Sequence, residues 1–374
     1  MTFPFCFTFL LAVESDFQLV TAFFLAFGVS LVLTLSIIDL VRKKQLFDTN
    51  NNLKLHIEKV GSLGGIAIFS AFWITVSIVN QGTVFSNFGY LFAGSFLLFL
   101  TGVKDDLVNM PASVRLLIQS LVSVLLFLGG LGIQHLPGTD WVLPEVVSFI
   151  FTMLLLGVIV NAYNFIDGIN GLAGGLAIIA ALSFALIFYL SGQQGPMILS
   201  LTLAGAASGF LVFNFGKAKI FMGDNGSTFI GVILTYLSLL LFQPETTAFW
   251  GGQKTLLIFG GVLIVPLLDM VKVILGRLLN GKSPLRGDRT HIHHLLQASG
   301  LRSSMICWLL YTWSVIVSVC VIFCLPENMY FAVPLIIVAS AFPYILVAVT
   351  KALIRSKKQS RFQSLRTEQS ARSV

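Results

Sequence analysis

The chain alternates long apolar runs with short polar clusters, and the apolar runs lack the strict polar and apolar alternation of a membrane β-strand. A run of about 17 to 25 apolar residues is long enough to cross a bilayer as a helix. We count about eleven such runs and therefore predict an all-α integral membrane protein with about 11 transmembrane helices. The predicted spans begin near Phe17, Ser62, Phe85, Val114, Val142, Gly171, Pro196, Gly226, Thr255, Met305 and Tyr330.

The composition supports a membrane protein. Of the 374 residues, 56% are hydrophobic and only 10% are charged, and the mean hydropathy is +0.91. Soluble globular proteins carry about 25% charged residues. This composition excludes a disordered chain, a disulfide scaffold and almost any water-soluble enzyme. The four cysteines lie in apolar stretches without metal-ligand spacing, so we interpret them as small hydrophobic side chains that bind no metal.

The basic residues predict the topology. If the N-terminus lies outside, every Lys and Arg except Lys254 falls in a cytoplasmic segment or at a helix end beside one, as the positive-inside rule requires. The net charge of +7 is therefore a topology signal, and we expect no nucleic-acid partner. We predict one polytopic domain over 1–352 and a basic, disordered cytoplasmic tail over 353–374 that touches anionic lipid. The predicted cytoplasmic segments are 41–61, 104–113, 161–170, 214–225, 276–304 and the tail.

Polar clusters from distant parts of the chain fall on this cytoplasmic face. Their sequences are VKDDL, NAYNFIDGINGLAGG, FNFGKAKIFMGDNGS and RGDRTHIHH. Acids and amides at helix ends on one side indicate a site at the membrane–cytosol boundary. Carboxylates and asparagines without thiolates favour Mg²⁺ or Mn²⁺, while glycines, helix starts and cations suit a pyrophosphate. Together these features predict phosphoryl transfer between a cytosolic nucleotide compound and a lipid phosphate.

These motifs, from about Asp48 to His294, resemble in order and spacing the polyprenyl-phosphate N-acetylhexosamine-1-phosphate transferases. The chain is most similar to the bacterial undecaprenyl-phosphate N-acetylglucosaminyl-1-phosphate transferases. The resemblance implies that a UDP-N-acetylhexosamine gives its sugar-1-phosphate to undecaprenyl phosphate and releases UMP, with Mg²⁺ or Mn²⁺ as cofactor. It also implies a multi-pass protein of the bacterial inner membrane, a cytoplasmic active site and a first membrane step of cell-envelope polysaccharide synthesis, such as lipopolysaccharide, O-antigen or teichoic acid. Relatives often dimerise, so a homodimer is one expected state.

The resemblance also implies roles for individual residues. Asp224 matches the principal Mg²⁺ ligand, and Asn164 an asparagine close to the metal and the diphosphate. Phe221 resembles the aromatic residue that stacks on uracil, and Asn170 one that contacts the nucleotide.

Four further residues match catalytic positions. Asp105 and Asp106 resemble the acidic pair assigned to the metal, to activation of the lipid phosphate, or to both. Arg115 falls where relatives place a basic residue for the phosphate, and Asp167 matches the acid of the central loop.

Two segments match substrate-binding positions. Lys54 and His56 belong to the first cytoplasmic segment, DTNNNLKLHIEKVGSLGG, which lacks both family prolines and has Leu53 where arginine is common. The histidine segment resembles a loop that grips the sugar and the diphosphate; it comprises His291, His293 and His294, with Arg289 beside them.

Alternatives stay open. The histidine segment lacks the H-H-H-x-E form of the phospho-N-acetylmuramoyl-pentapeptide transferases, which disfavours that donor. An ion-coupled transporter is also disfavoured, because its ionisable groups usually lie near the bilayer midplane in repeated halves.

For the chemistry, direct attack by the lipid phosphate is favoured over a covalent intermediate on an aspartate. We leave Asp39 and Asp269 outside the predicted site. Asp269 is three residues before Lys272, a spacing at which opposite charges on a helix can pair.

Overall fold

The computed structural model describes residues 3–45, 60–79, 87–136, 139, 141–281 and 291–324, together with six single positions between 334 and 349. These residues form thirteen α-helices. The helices are α1 Phe3–Lys44, α2 Gly64–Val79, α3 Phe88–Leu107, α4 Ala112–Leu128, α5 Glu145–Ile166, α6 Leu172–Leu190, α7 Gln194–Asn214, α8 Gly223–Leu241, α9 Pro244–Trp250, α10 Gly252–Val262, α11 Ile264–Leu279, α12 Ile292–Ala298 and α13 Ser303–Val319, which continues as a π-helical turn, Cys320–Cys324.

The all-α prediction is confirmed for the described residues, and helices fall on the first ten predicted spans. Six of these helices are long and apolar enough to cross a membrane, and α10 with α11, bent by 80°, makes a seventh if the pair is one span. The helices α2 and α4 are shorter. The predicted eleventh span and the tail lie almost entirely outside the described residues. The count of eleven and the orientation of the termini stay predictions.

Small residues allow α1 to lie directly against α7. A Cβ atom on Gly205 would lie 2.2 Å from the carbonyl oxygen of Phe23, and one on Gly209 would lie 2.5 Å from that of Phe27. The Ser30 hydroxyl donates to the carbonyl oxygen of Ala206 at 2.6 Å. Without a hydrophobic driving force between helices in lipid, such close backbone contact is a main source of association.

A second close contact positions the predicted site. A Cβ atom on Gly65 of α2 would lie 2.2 Å from the backbone nitrogen of Gly226, and one on Gly102 of α3 would lie 2.4 Å from the Cα atom of Asn225. Both helices therefore touch the backbone of the first turn of α8. This packing brings the acidic end of α3 to the N-terminus of α8.

Candidate active site

Arg115 lies between two carboxylates at the ends of α3 and α8. Its Nη1 atom donates to Asp105 Oδ2 at 2.8 Å and lies 3.7 Å from Asp224 Oδ2. The other Asp105 oxygen accepts the backbone N–H of Met110 at 2.6 Å. The α3–α4 turn thus fixes Asp105, and the guanidinium partly neutralises both acids.

Asp106 has a different environment from its neighbour Asp105. Its Oδ1 atom accepts the backbone N–H of Asp224 at 2.8 Å, and its Oδ2 atom accepts the N–H of Asn225 at 3.0 Å and also the Asn225 side-chain amide. The first N–H groups of a helix have no partner within the helix. Asp106 therefore caps α8 from a neighbouring helix, and it holds the backbone of Asp224 in place.

Asn164, near the end of α5, orients the Asp224 carboxylate. Its side-chain nitrogen donates to Asp224 Oδ1 at 2.7 Å and to Ser227 Oγ at 3.1 Å. Because the nitrogen makes both bonds, the Asn164 carbonyl oxygen and Asp224 Oδ2 are the oxygens that remain for a ligand.

These two oxygens fit a magnesium ion. Mg²⁺ is usually held by one or two carboxylates together with substrate phosphates and water, so a complete protein cage is not needed. Among the described residues no group of three or more His, Cys, Asp and Glu side chains has metal-binding geometry. The donors that the protein would offer here are one carboxylate oxygen and one amide oxygen, both of them hard ligands.

The central loop between α5 and α6 borders a cavity of about 220 Å³. Asp167 begins this loop, and burial, followed by the negative charges of Asp224 and Asp106, raises the pKa of Asp167 well above its ordinary value. The crowding of acids indicates that the site is suited to a cation. The cavity is lined by Asp167, Gly168, Ile169, Asn170, Asn214, Phe221 and Met222.

Asn214 and Tyr311, which the sequence reasoning did not place in the site, fix the shape of this loop. The Asn214 side chain accepts the N–H of Gly171 at 2.7 Å and donates to the carbonyl oxygen of Ile220 at 2.8 Å. Gly171 has a φ of 89°, which a glycine adopts without strain, and its carbonyl oxygen accepts from the Tyr311 hydroxyl. The available signal for Asn214 was its place in the polar cluster FNFGKAKIFMGDNGS, although the sequence reasoning gave it no role.

Three glycines just before and at the start of α2 hold the backbone of Phe221. The N–H of Phe221 donates to the carbonyl oxygen of Gly61, and the N–H groups of Gly64 and Gly65 donate to the carbonyl oxygens of Phe221 and Met222, each at 2.9 Å. These three backbone hydrogen bonds fix the position of Phe221, which lines the cavity.

The histidine segment lies against the central loop. His293 is buried, and within the described part of the chain neither ring nitrogen has a hydrogen-bond partner. Burial, assisted by His294, lowers the pKa of His293 to about 4, so the ring is neutral at pH 7. A Cβ atom on Gly168 would lie 2.1 Å from His293 Nε2. Only a glycine at position 168 lets this ring approach so closely.

Gly168→Ala should therefore destabilise the protein. The added Cβ atom would collide with the buried His293 ring. Overpacking costs about 1 to 3 kcal/mol, and we expect a fall of that size in the free energy of unfolding, measured in detergent. Gly157→Ala on α5 is the control, because its Cβ atom would meet only Gln119 Oε1 at 4.0 Å. Equal stability of both variants would mean that His293 can move away from the loop.

The structure thus brings most of the predicted residues together. The acids, Arg115 and Asn164 form one cluster, and Asn170 and Phe221 border the adjoining cavity. His293 lies against Gly168 of the central loop, and the His291 ring stacks on it. The ring centroid of His294 lies 4.2 Å from that of His293. Lys54, His56 and Arg289 lie outside the described residues. Their roles, like those of the other site residues, stay predictions.

Comparison with known proteins identifies the family of this chain. Residues 88–242 match the family described as glycosyl transferase family 4. The chain is 30% identical over 341 residues to a probable undecaprenyl-phosphate N-acetylglucosaminyl 1-phosphate transferase of Bacillus subtilis, which covers 90% of this chain and 93% of the relative. It is 33% identical over 287 residues to the decaprenyl-phosphate N-acetylglucosaminephosphotransferase of Mycolicibacterium smegmatis, covering 69% and 70%. The chain therefore belongs to glycosyl transferase family 4, among its polyprenyl-phosphate sugar-1-phosphate transferases.

Proposed function

We propose that this protein transfers N-acetylglucosamine-1-phosphate from UDP-N-acetylglucosamine to undecaprenyl phosphate at the cytoplasmic face of a bacterial inner membrane. The products are a lipid-linked diphospho-sugar and UMP. The names of the relatives support the acceptor class and the sugar phosphate. The observation that carries the proposal is the placement of Arg115 between the carboxylates of Asp105 and Asp224. Asp224 is two residues from Met222, which lines the cavity that Phe221 borders.

Asp224 and Asn164 are the residues that would hold Mg²⁺, or Mn²⁺ in its place. Their free oxygens are hard donors, and Mg²⁺ tolerates substrate phosphates and water as its remaining ligands. When bound, the ion supplies charge neutralisation for the diphosphate. Asp106 contributes by fixing the α8 turn that carries Asp224.

The cavity beside the acids suits the nucleotide of the donor. An aromatic side chain, Phe221, and the amides of Asn170 and Asn214 line it. A planar base can stack on the ring and bond to amide groups. The Asn170 side chain donates to the carbonyl oxygen of Gly216 at 3.1 Å, which holds this amide at the wall.

Arg115 and Asp105 suit the phosphate of the lipid acceptor. A phosphate monoester has a second pKa near 6, so at pH 7 it needs alignment and charge neutralisation more than a strong base. In direct attack, an acceptor oxygen forms a bond to the sugar-linked phosphorus, and the bond from that phosphorus to the bridging oxygen breaks. UMP leaves with the bridging oxygen.

A donor screen tests this function. Purified protein in lipid vesicles with undecaprenyl phosphate and Mg²⁺ is given UDP-N-acetylglucosamine, UDP-N-acetylgalactosamine or UDP-N-acetylmuramoyl-pentapeptide, and UMP release is measured. We expect release with UDP-N-acetylglucosamine and none when the lipid phosphate is omitted. Release with the pentapeptide donor alone would identify the protein as a phospho-N-acetylmuramoyl-pentapeptide transferase, and no release with any donor would refute the proposal.

A further inference from the structure

Asp269 is a buried acid on α11 that the catalytic cluster does not use. It is only 2% exposed, and both of its oxygens accept hydrogen bonds from the histidine segment. Its Oδ2 atom lies 2.7 Å from His291 Nδ1, and its Oδ1 atom accepts the backbone N–H of Ile292 at 2.6 Å. A buried carboxylate is costly unless its oxygens are satisfied. The pairing therefore ties α11 firmly to the start of α12.

This pairing determines which nitrogen of His291 carries the proton. An ionised carboxylate only accepts hydrogen bonds, so Nδ1 must be the protonated nitrogen. Nε2 is then the nitrogen left for another group. For a ring that carries one proton, the Asp269 carboxylate thus selects the Nδ1–H tautomer, and it fixes the plane in which the ring lies.

The orientation of His291 is transmitted to the central loop. The His291 and His293 rings lie nearly parallel, with centroids 5.8 Å apart and an interplanar angle of 10°. The other neighbour of His291 is Phe165, whose ring centroid lies 5.4 Å away. His293 in turn fills the space beside Gly168, next to Asp167. A rotation of His291 would therefore disturb the wall of the donor site.

We propose that Asp269 is a positioning residue that holds His291 in the Nδ1–H form, so that Nε2 accepts a hydrogen bond from a hydroxyl or the amide N–H of the donor's N-acetyl sugar. The identity of the substrate in this proposal rests on the proposed function, whereas the pairing of Asp269 with His291 is independent of that function. The competing explanation is that Asp269 merely caps the short helix α12.

Asp269→Asn distinguishes the two explanations. Asparagine is as good a helix cap as aspartate, and its oxygen can still accept the N–H of Ile292. Its nitrogen, however, would donate to His291 Nδ1 and so move the ring proton to Nε2. A helix cap would survive this change, and so would the contact with the ring, whereas the tautomer would not.

We expect Asp269→Asn to keep the melting temperature of the wild type and to lower kcat/KM for UDP-N-acetylglucosamine by about 10²-fold. His291→Ala should cause a similar loss, and the double variant should lose no more than either single variant, because Asp269 acts through His291. The matched control is Asp39→Asn, which changes an exposed acid at the inner end of α1 that pairs with Lys43. The control should transfer sugar phosphate at the wild-type rate.

A substrate-free measurement separates this inference from the proposed function. Protein with ¹⁵N-labelled histidine side chains, studied by NMR at alkaline pH, should show the His291 proton on Nδ1 in the wild type and on Nε2 in Asp269→Asn. The signal is assigned by its absence from His291→Ala. Wild-type turnover in Asp269→Asn, losses that multiply in the double variant, or an Nε2–H form in the wild type would overturn the inference. A wild-type protein that transfers nothing would refute the function alone, and the tautomer would still decide the role of Asp269.

Discussion

Replacing Asp224 with asparagine is expected to lower kcat by at least about 10³-fold, a loss typical of removing a group that stabilises transition-state charge. The amide oxygen of the variant can still accept the bond from Asn164, and Asp106 can still cap α8, so the protein should fold normally. What disappears is the negative charge that would bind Mg²⁺ beside Arg115. The measurement is UMP release at saturating donor, acceptor and Mg²⁺.

Glu245→Gln is the matched control for this variant. Glu245, like Asp224, is an acid in the first turn of its helix, α9. It follows the C-terminal end of α8, whereas the cluster lies at the N-terminal end of α8. We expect wild-type turnover from the control. Near-normal turnover in Asp224→Asn would remove this residue from the site and leave the proposed metal without its carboxylate.

The adjacent residues Asp105 and Asp106 are expected to respond differently to substitution. Asp106→Ala removes three hydrogen bonds from the start of α8 and should lower the free energy of unfolding by about 2 to 4 kcal/mol, because bonds to charged groups are worth about 1.5 to 3 kcal/mol each and are not additive. It should also lower turnover, since the Asp224 backbone loses its anchor. Thermal unfolding in detergent and UMP release are measured on the same preparation.

Asp105→Asn is the comparison for Asp106→Ala. Asp105 is itself buried, but asparagine keeps its size, and its oxygen can still accept the N–H of Met110. The bond that is lost is the one to Arg115, whose side chain is 38% exposed, so the substitution should cost about 1 kcal/mol of stability. Turnover, by contrast, should fall at least about 10²-fold, because the guanidinium loses the partner that aligns it for the acceptor phosphate. Equal losses of stability in the two variants would contradict the separate roles.

Local patterns were enough to predict the helices and the gathering of the polar clusters. A long apolar run in lipid predicts a helix, because a helix satisfies all of its backbone hydrogen bonds within the segment, and an open strand or loop does not. The basic residues then placed Asp105, Asn164 and Asp224 on one face, and the structure brings these three side chains into one cluster.

The partners of individual side chains could not be predicted. Asp105 and Asp106 are neighbouring residues of the same type, so the sequence offers nothing to separate their roles. Only the packing of α8 against α3 shows that Asp106 caps the N-terminus of α8. Asp269 had Lys272 as its nearest candidate partner in sequence, whereas the structure pairs it with His291, 22 residues away. Such pairs depend on how helices cross, which the hydrophobic pattern of one helix does not encode.

The central claim is that one site receives both phosphates and moves a sugar together with its phosphate. The most direct test uses UDP-N-acetylglucosamine that carries ³²P only at the sugar-linked phosphorus, with undecaprenyl phosphate and Mg²⁺. We predict that the label appears in the lipid fraction, that the released nucleotide is unlabelled UMP, and that chelation of the metal stops both. Label recovered in released UDP, with the lipid fraction unlabelled, would show transfer of the sugar alone and would contradict the account.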